Sequence, residues 1–172
     1  AIATSESKGK MEPGAYKDFE TTMILTNPQR WDVNHGVMYS VVTKVKRGDI
    51  VLDTYATNFG VRTIRFTADD GFYLNDRRVQ LKGVNLHHDH GPLGAAFYPR
   101  AMERQLQLLK EAGCNAVRTS HNVPAPELLD LCDKMGILVI DEIFDKYDGK
   151  ADFTEGTDFG LFAERNVKNW IM

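Results

Sequence analysis

Three short stretches of the chain collect side chains that could bind or transform a polar ligand. The stretches are His87-His88-Asp89-His90, Arg118-Thr119-Ser120-His121-Asn122, and Asp141-Glu142 with Asp145. Imidazole, guanidinium, carboxylate and amide groups donate and accept the hydrogen bonds that hydroxyl groups make. Each stretch follows an apolar run that reads as a strand, so the polar groups are expected at three strand ends. Together they predict a site for a ligand with many hydroxyl groups.

The histidine-rich stretch 87–90 also permits a metal interpretation. His88 and His90 could lie on one side of an extended segment, and imidazole together with carboxylate suits zinc. The alternative is that one histidine faces a pocket while the others pack or cap the loop. No other pair of Cys or His residues has ligand spacing, so we favour the alternative and expect neither a metal nor another cofactor.

The adjacent carboxylates Asp141 and Glu142 could form an acid/base pair. However, neighbouring residues of a strand point to opposite sides. We therefore favour an arrangement in which one carboxylate faces the interior and pairs with Arg118, while the other supports a loop. From its strand end, Arg118 could equally orient a catalytic carboxylate.

The predicted secondary structure that must position these residues changes near residue 80. Residues 15–80 alternate in polarity and turn often, which predicts antiparallel β-structure with a tight turn at Asn75-Asp76. Residues 81–172 predict a βαβαβα order, with parallel strands whose ligand sites lie at their carboxyl ends. The expected strands are 19–25, 38–45, 50–56, 61–66, 72–74, 79–81, 81–86, 115–119 and 137–140, and the expected helices are 99–112, 126–135 and a third that begins at Thr157 or Asp158.

Composition excludes several classes of protein. The 172 residues carry 21 Lys+Arg against 24 Asp+Glu without a basic stripe, so we expect no nucleic-acid partner. No apolar run approaches the roughly 20 residues of a membrane helix, so no membrane partner is expected. Residues 1–14 lack the apolar core of a signal peptide, and the compartment stays open. Cys114 and Cys132 are expected to be buried small hydrophobes rather than nucleophiles.

One set of motifs is specific when taken together. The motifs are NPQRW at 27–31, MY at 38–39, FGVR at 59–62, FYLN at 72–75, LKGVNLHHD at 81–89, GCNAVRTSHN at 113–122, LCDKMG at 131–136 and IDE at 140–142. They resemble glycoside hydrolase family 2, the family of β-galactosidases and β-glucuronidases. The resemblance implies a mixed fold, in which the end of an immunoglobulin-like β-sandwich (residues 1–80) precedes the first three βα units of a (β/α)8 TIM barrel (residues 81–172).

The resemblance also implies which residues bind or support the substrate. By position, His87 matches the first-strand histidine that lines the sugar site, and Arg118 matches the second-strand arginine that supports the nucleophile. His121 and Asn122 match the histidine-containing segment beside the sugar. The full implied set is His87, Asp89, Arg118, His121, Asn122 and Asp145.

The same resemblance implies hydrolysis of terminal β-linked sugars by two carboxylates about 5 Å apart. In the family, the acid/base follows the fourth barrel strand and the nucleophile follows the seventh. Neither catalytic residue is therefore expected in these residues, and the chain alone is expected to be inactive. Metal-dependent galactosidases carry an acidic residue and a histidine in the loop after the third strand. The nearest residues here are Lys146 and Asp148, so no metal is expected.

Two hypotheses of different class follow. The first is a piece of a β-galactosidase-like hydrolase whose substrate is a β-galactoside or a related oligosaccharide. The second is a non-catalytic carbohydrate-binding or assembly module that reuses the sandwich and part of the barrel. In either case an open three-strand sheet exposes an edge and a face, which favours self-association of the isolated chain and leaves a homo-oligomer open.

Overall fold

The first half of the chain begins its regular structure with a long hairpin. In the computed structural model, which describes residues 2–143 and 145, β1 (Tyr39–Arg47) pairs antiparallel with β2 (Ile50–Phe59). Gly48 has φ +59° in the connecting turn, a conformation that glycine adopts without steric cost. The predicted hairpin is confirmed, and both strands run further than the alternating pattern indicated.

A second antiparallel sheet follows directly. It contains β3 (Ile64–Thr67), β4 (Gly71–Leu74) and β5 (Arg77–Arg78), in that order. Asn75 and Asp76 have φ values of 51° and 66°, so the predicted tight turn is confirmed by the two residue types that tolerate this conformation. The last strand lies two residues earlier than the predicted 79–81, and Val79 beyond it is buried while its N–H still donates to the Phe72 carbonyl at 2.9 Å.

The predicted strand at 19–25 is wrong. This stretch has no strand assignment, and six of its seven residues are exposed. The hydrogen bonds that join it to another described segment include Ser5–Thr21, between two hydroxyls, and Ser7 Oγ to the Glu20 carbonyl at 3.5 Å. Threonine and apolar residues favour strands only where a neighbouring strand supplies the ladder and the packing. No described segment supplies it here.

The second half forms a parallel sheet in the order β6 (Gly83–Leu86), β7 (Ala116–Thr119) and β8 (Leu138–Ile140). Helices α1 (Pro99–Glu111) and α2 (Pro126–Met135) form the two crossovers, as predicted. Each helix begins at a proline, and Gly136 ends α2 with φ +68°. The third predicted helix lies outside the described residues. No helix within residues 2–143 and 145 is long and apolar enough to span a bilayer.

The core of the parallel half lies between the two helices and the sheet. Met102 and Leu106 of α1 share one face at a spacing of four residues and pack against Val117 of β7. The buried members of this cluster are Met102, Leu106, Val117, Leu128, Cys132 and Ile137. Cys132 is 1% exposed, which confirms its predicted place in the core, whereas Cys114 is half-buried.

A second cluster joins the two halves of the chain. Trp31 is fully buried, and its Nε1 donates to the Asp133 carbonyl at 2.7 Å. The backbone N–H of Asn34 donates to the Gly136 carbonyl at 2.9 Å. A Cβ added at Gly36 would overlap the Asp133 carbonyl oxygen, so the two segments meet backbone to backbone. We call this contact of residues 31–36 with residues 133–136 the joint. The apolar cluster beside the joint contains Trp31, Leu74 and Val79, with Val33, Met38, Phe72 and Leu138 around them.

Cys132 is expected to resist alkylation in the folded protein. Burial raises the pKa of its thiol to about 12, and the nearby Asp133 carboxylate adds to the shift. At a pH of about 8, only about 10⁻⁴ of such a thiol is the reactive thiolate. Iodoacetamide labelling followed by peptide mass spectrometry checks this, with a sample unfolded in guanidinium chloride as the control. Equal labelling rates in the folded and unfolded samples would contradict the burial.

Candidate functional site

Arg118 reaches from the carboxyl end of β7 to residues of both neighbouring strand ends. The parallel register places Asn85 of β6 on one side of Arg118 and Ile140 of β8 on the other. The Arg118 Nε donates to Glu142 Oε1 at 2.9 Å, and Nη2 donates to the same oxygen. On the other side, Nη1 donates to Asn85 Oδ1 at 3.3 Å. The guanidinium is therefore held across the carboxyl end of the sheet.

Glu142 uses both carboxylate oxygens. While Oε1 accepts from Arg118, Oε2 lies 2.8 Å from Nδ1 of His121. Burial by itself raises the pKa of Glu142, but the hydrogen bonds and positive charge of Arg118, together with His121, outweigh it and hold the pKa below its ordinary value. Glu142 is therefore ionised at neutral pH. The predicted pairing of Arg118 with one of the two adjacent carboxylates is confirmed.

Asp141 supports the loop, as the alternation argument predicted for the second carboxylate. Its Oδ1 accepts a hydrogen bond from the Thr119 hydroxyl at 3.1 Å, and Asp141 is exposed to solvent. The same hydroxyl accepts from the backbone N–H of Glu142 at 3.0 Å. Thr119 is 2% exposed. A buried threonine of β7 thus fixes the backbone on which both carboxylates stand.

The two histidines His87 and His121 meet in front of the sheet. Their ring centroids lie 5.5 Å apart, and the rings are nearly perpendicular at 80°. On the far side of the His121 ring, Nε2 lies 3.9 Å from Asp145 Oδ1. Four of the predicted site residues, His87, Arg118, His121 and Asp145, therefore belong to one connected group, which three strand ends supply.

The remaining predicted residues lie at the edge of this group. Asp89 accepts a hydrogen bond from the backbone N–H of Gly91 at 3.3 Å and thereby stabilises the turn that begins a short helix at Gly91–Leu93. Asn122 is exposed beyond the end of β7. A pocket beside the group is lined by Leu86, His87, His88, Asp89, His90, Ala95, Phe97, Met102, Thr119, Pro124, Ala125 and Leu128.

Two rings of the histidine-rich stretch have different aromatic partners, although the whole stretch lines the pocket. His90 packs edge-on against Phe97, with ring centroids 6.0 Å apart, while His87 faces His121. In the part of the chain that the structure describes, no three His, Cys, Asp or Glu side chains are grouped so that they could hold a metal ion. Lys146 and Asp148 lie outside that part.

Two residues of this group were not among the predicted site residues. Glu142 was considered as one half of an acid/base pair or as one possible ion-pair partner of Arg118, and Thr119 only as part of a polar stretch. The signal for Glu142 was its position one residue after an exposed aspartate at the end of an apolar strand. The sequence carries no signal for its second contact, with His121, because that contact depends on the path of the chain after β7.

Family models match both halves of the chain. A model of the TIM barrel domain of family 2 glycosyl hydrolases matches residues 66–154, and a second family 2 model matches residues 2–62. The chain belongs to glycosyl hydrolase family 2. It contains the end of the family's immunoglobulin-like sandwich and the start of its TIM barrel, of which the described residues supply three strands and two helices. The domain boundary between residues 80 and 81 stays a prediction.

Relatives of this family 2 chain carry the names of two kinds of glycosidase. The β-galactosidase BoGH2A of Bacteroides ovatus is 44% identical over 99% of the chain and 20% of its own length. A putative β-glucuronidase of Formosa agariphila is 39% identical over 84% of the chain and 14% of its own length. A solved family 2 structure from Bacteroides cellulosilyticus has a TM-score of 0.76 at 41% identity, over 81% of this chain and 18% of that one. The chain thus spans a fifth or less of the length of these relatives.

Proposed function

We propose that this chain is part of a β-galactosidase-like glycoside hydrolase that cleaves terminal β-linked sugars by a retaining, two-carboxylate mechanism. The observation that supports this is the connected group of His87, Arg118, His121 and Glu142 at the carboxyl end of the parallel strands. TIM-barrel enzymes carry their active sites at this end. The whole protein's activity and substrate belong to the proposal.

In the proposed mechanism, the chain supplies binding and electrostatic groups rather than the reacting carboxylates. The acid/base and the nucleophile stand about 5 Å apart in a retaining glycosidase, and we assign both to barrel strands beyond β8. Of the five N–H groups of the Arg118 guanidinium, three are directed to Glu142 and Asn85. Nη2 also lies 3.4 Å from Nδ1 of His121, and the second N–H of Nη1 can donate to a further carboxylate, the nucleophile, which a neighbouring positive charge keeps ionised.

The histidines would bind the sugar itself. Imidazole nitrogens of His87 and His121 can donate to or accept from ring hydroxyls, and such hydrogen bonds strengthen as charge develops in the transition state. Asp89, Asn122 and Asp145 border the same space in this proposal and add polar contacts at its rim. Every group in this set is one that suits an uncharged, hydroxyl-rich ligand.

We propose a β-galactoside as the substrate because the relative that spans 99% of the chain is named a β-galactosidase. A β-glucuronide is the competing candidate, since other relatives are named β-glucuronidases and one of that name from Ruminococcus gnavus is described in complex with D-glucuronic acid. A glucuronide carries a carboxylate. A site that binds it would need a cation where a site for a galactoside needs only a neutral partner.

The test is hydrolysis of aryl β-galactoside and aryl β-glucuronide by a polypeptide that carries this chain together with the rest of the barrel. We expect the galactoside to have the higher kcat/KM, and the 172 residues alone to show no turnover above a heat-treated sample. Binding of sugar by the longer polypeptide without turnover would favour the non-catalytic module. Steady turnover by the 172 residues would place the catalytic pair within them and contradict the assignment above.

A further inference from the structure

We infer that Glu142 is a positioning residue of this active site, whose carboxylate holds Arg118 and His121 in the orientation in which they meet the ligand. The inference deepens the proposed function and rests on it. Glu142 itself need not touch the substrate. It acts through the two residues that it holds.

The different exposures of the three side chains support this role of Glu142. Glu142 has a side-chain exposure of 16%, whereas Arg118 and His121 have exposures of 35% and 34%. The carboxylate is therefore the most buried of the three groups, and its two partners are the more accessible to a ligand. One anion in this position fixes two partners at once, since each of its oxygens accepts from a different one.

Glu142 also decides which nitrogen of His121 carries a proton. An ionised carboxylate can only accept hydrogen bonds, so Nδ1, 2.8 Å from Oε2, must be the protonated nitrogen. The Nε2 atom then carries the chemistry that the ring offers, as a lone pair or, in the charged ring, as a donor. A glutamine at position 142 could accept from Arg118 with its one oxygen, but its amide would donate towards Nδ1 and favour the opposite tautomer.

The backbone under Glu142 is fixed independently of its side chain. The Glu142 N–H donates to the buried Thr119 hydroxyl, and this same hydroxyl donates to Asp141. A change from Glu142 to Gln therefore alters charge and hydrogen-bond polarity while the position of the residue is retained. Asp141 offers a matched control, because Asp141→Asn neutralises the adjacent carboxylate and keeps an oxygen that can accept from Thr119.

The experiment compares E142Q and D141N in a polypeptide that carries this chain and the rest of the barrel, with aryl β-galactoside as the probe. We expect E142Q to lower kcat about 10–100-fold, by analogy with the loss seen when a group that orients a metal-binding histidine is removed. KM should change by less than about 3-fold, because the loss arises mainly in the transition state. D141N should stay within about 2-fold of wild type, as a surface change does.

A double-mutant cycle separates positioning from general damage to the fold. In the R118A background E142Q should have an effect at least about 5-fold smaller, since one of the two residues through which it acts is already gone. E142D, which keeps the charge, should recover part of the activity and takes the place of E142Q in the cycle if E142Q does not fold. Thermal unfolding of each variant shows whether it folds.

Two outcomes overturn the inference while the wild type is active. Either D141N loses as much activity as E142Q, or the losses from E142Q and R118A multiply without coupling. An inactive wild-type polypeptide overturns the proposed function itself, and this inference with it. The two failures are therefore distinguishable.

Discussion

Replacement of Arg118 by alanine is expected to lower kcat about 10²–10³-fold in a polypeptide that carries this chain and the rest of the barrel, the scale seen when one preorganised electrostatic group is removed from an active site. The change deletes the positive charge that spans the strand ends between Asn85 and Glu142. Among the described residues, it also leaves His121 as the one remaining side-chain partner of the Glu142 carboxylate. Steady-state kinetics with an aryl β-galactoside measures the loss.

Two further variants make the Arg118 result specific. R118K keeps a positive charge but cannot present the planar fork that contacts Glu142 through two nitrogens, so it should lose activity to an intermediate degree. R100A removes an arginine whose side chain is 75% exposed and pairs with Glu103 at the surface of α1. It should leave kcat unchanged. An R118A variant as active as R100A would show that the arginine has no part in the reaction.

Replacement of Trp31 by alanine is expected to lower the free energy of unfolding by about 3–5 kcal/mol, the range for large aromatic residues in cores. Trp31 is 0% exposed and packs with Leu74 and Val79. Its loss also leaves the Asp133 carbonyl without the indole N–H donor at 2.7 Å. Gly60 lies close against the Trp31 side chain, so the truncation also removes packing against that backbone.

Chemical denaturation of the same polypeptide measures this effect. W31F keeps most of the apolar volume but lacks the N–H group, so it should cost less than W31A. L108A truncates a leucine on the outer side of α1 that is 47% exposed, and it should cost less than about 1 kcal/mol. If W31A unfolds at the same denaturant concentration as wild type, the joint does not contribute to stability.

The parallel half was predicted more closely than the antiparallel half, for a physical reason. Helix α2 has the predicted bounds because its limits are local: Pro126 fits a first turn, and Gly136 adopts the left-handed conformation that ends a helix. The strand expected at 19–25 failed because pairing depends on a distant partner, which residue types alone do not reveal. Local signals therefore transfer from sequence to structure better than non-local ones.

The contacts of the candidate site also fall into those that the sequence indicates and those that it does not. The contact of Arg118 with one neighbouring carboxylate follows from strand alternation and parallel order, both of which the sequence indicates. The edge-on contact of His87 with His121 does not, because both rings stand in segments that follow strands, where no periodicity applies. The double role of Glu142 likewise depends on where His121 lies after the chain leaves β7.

The joint also restricts how such a chain can exchange its parts during evolution. Gly36 lies against the backbone of residues 133 and 134, and Gly136 lies against the backbone of residues 32–35, so neither position has room for a side chain. A sandwich transplanted from another family member would fit this barrel only if it brought its own glycine to that contact. The contact therefore requires a glycine from each half, one on either side.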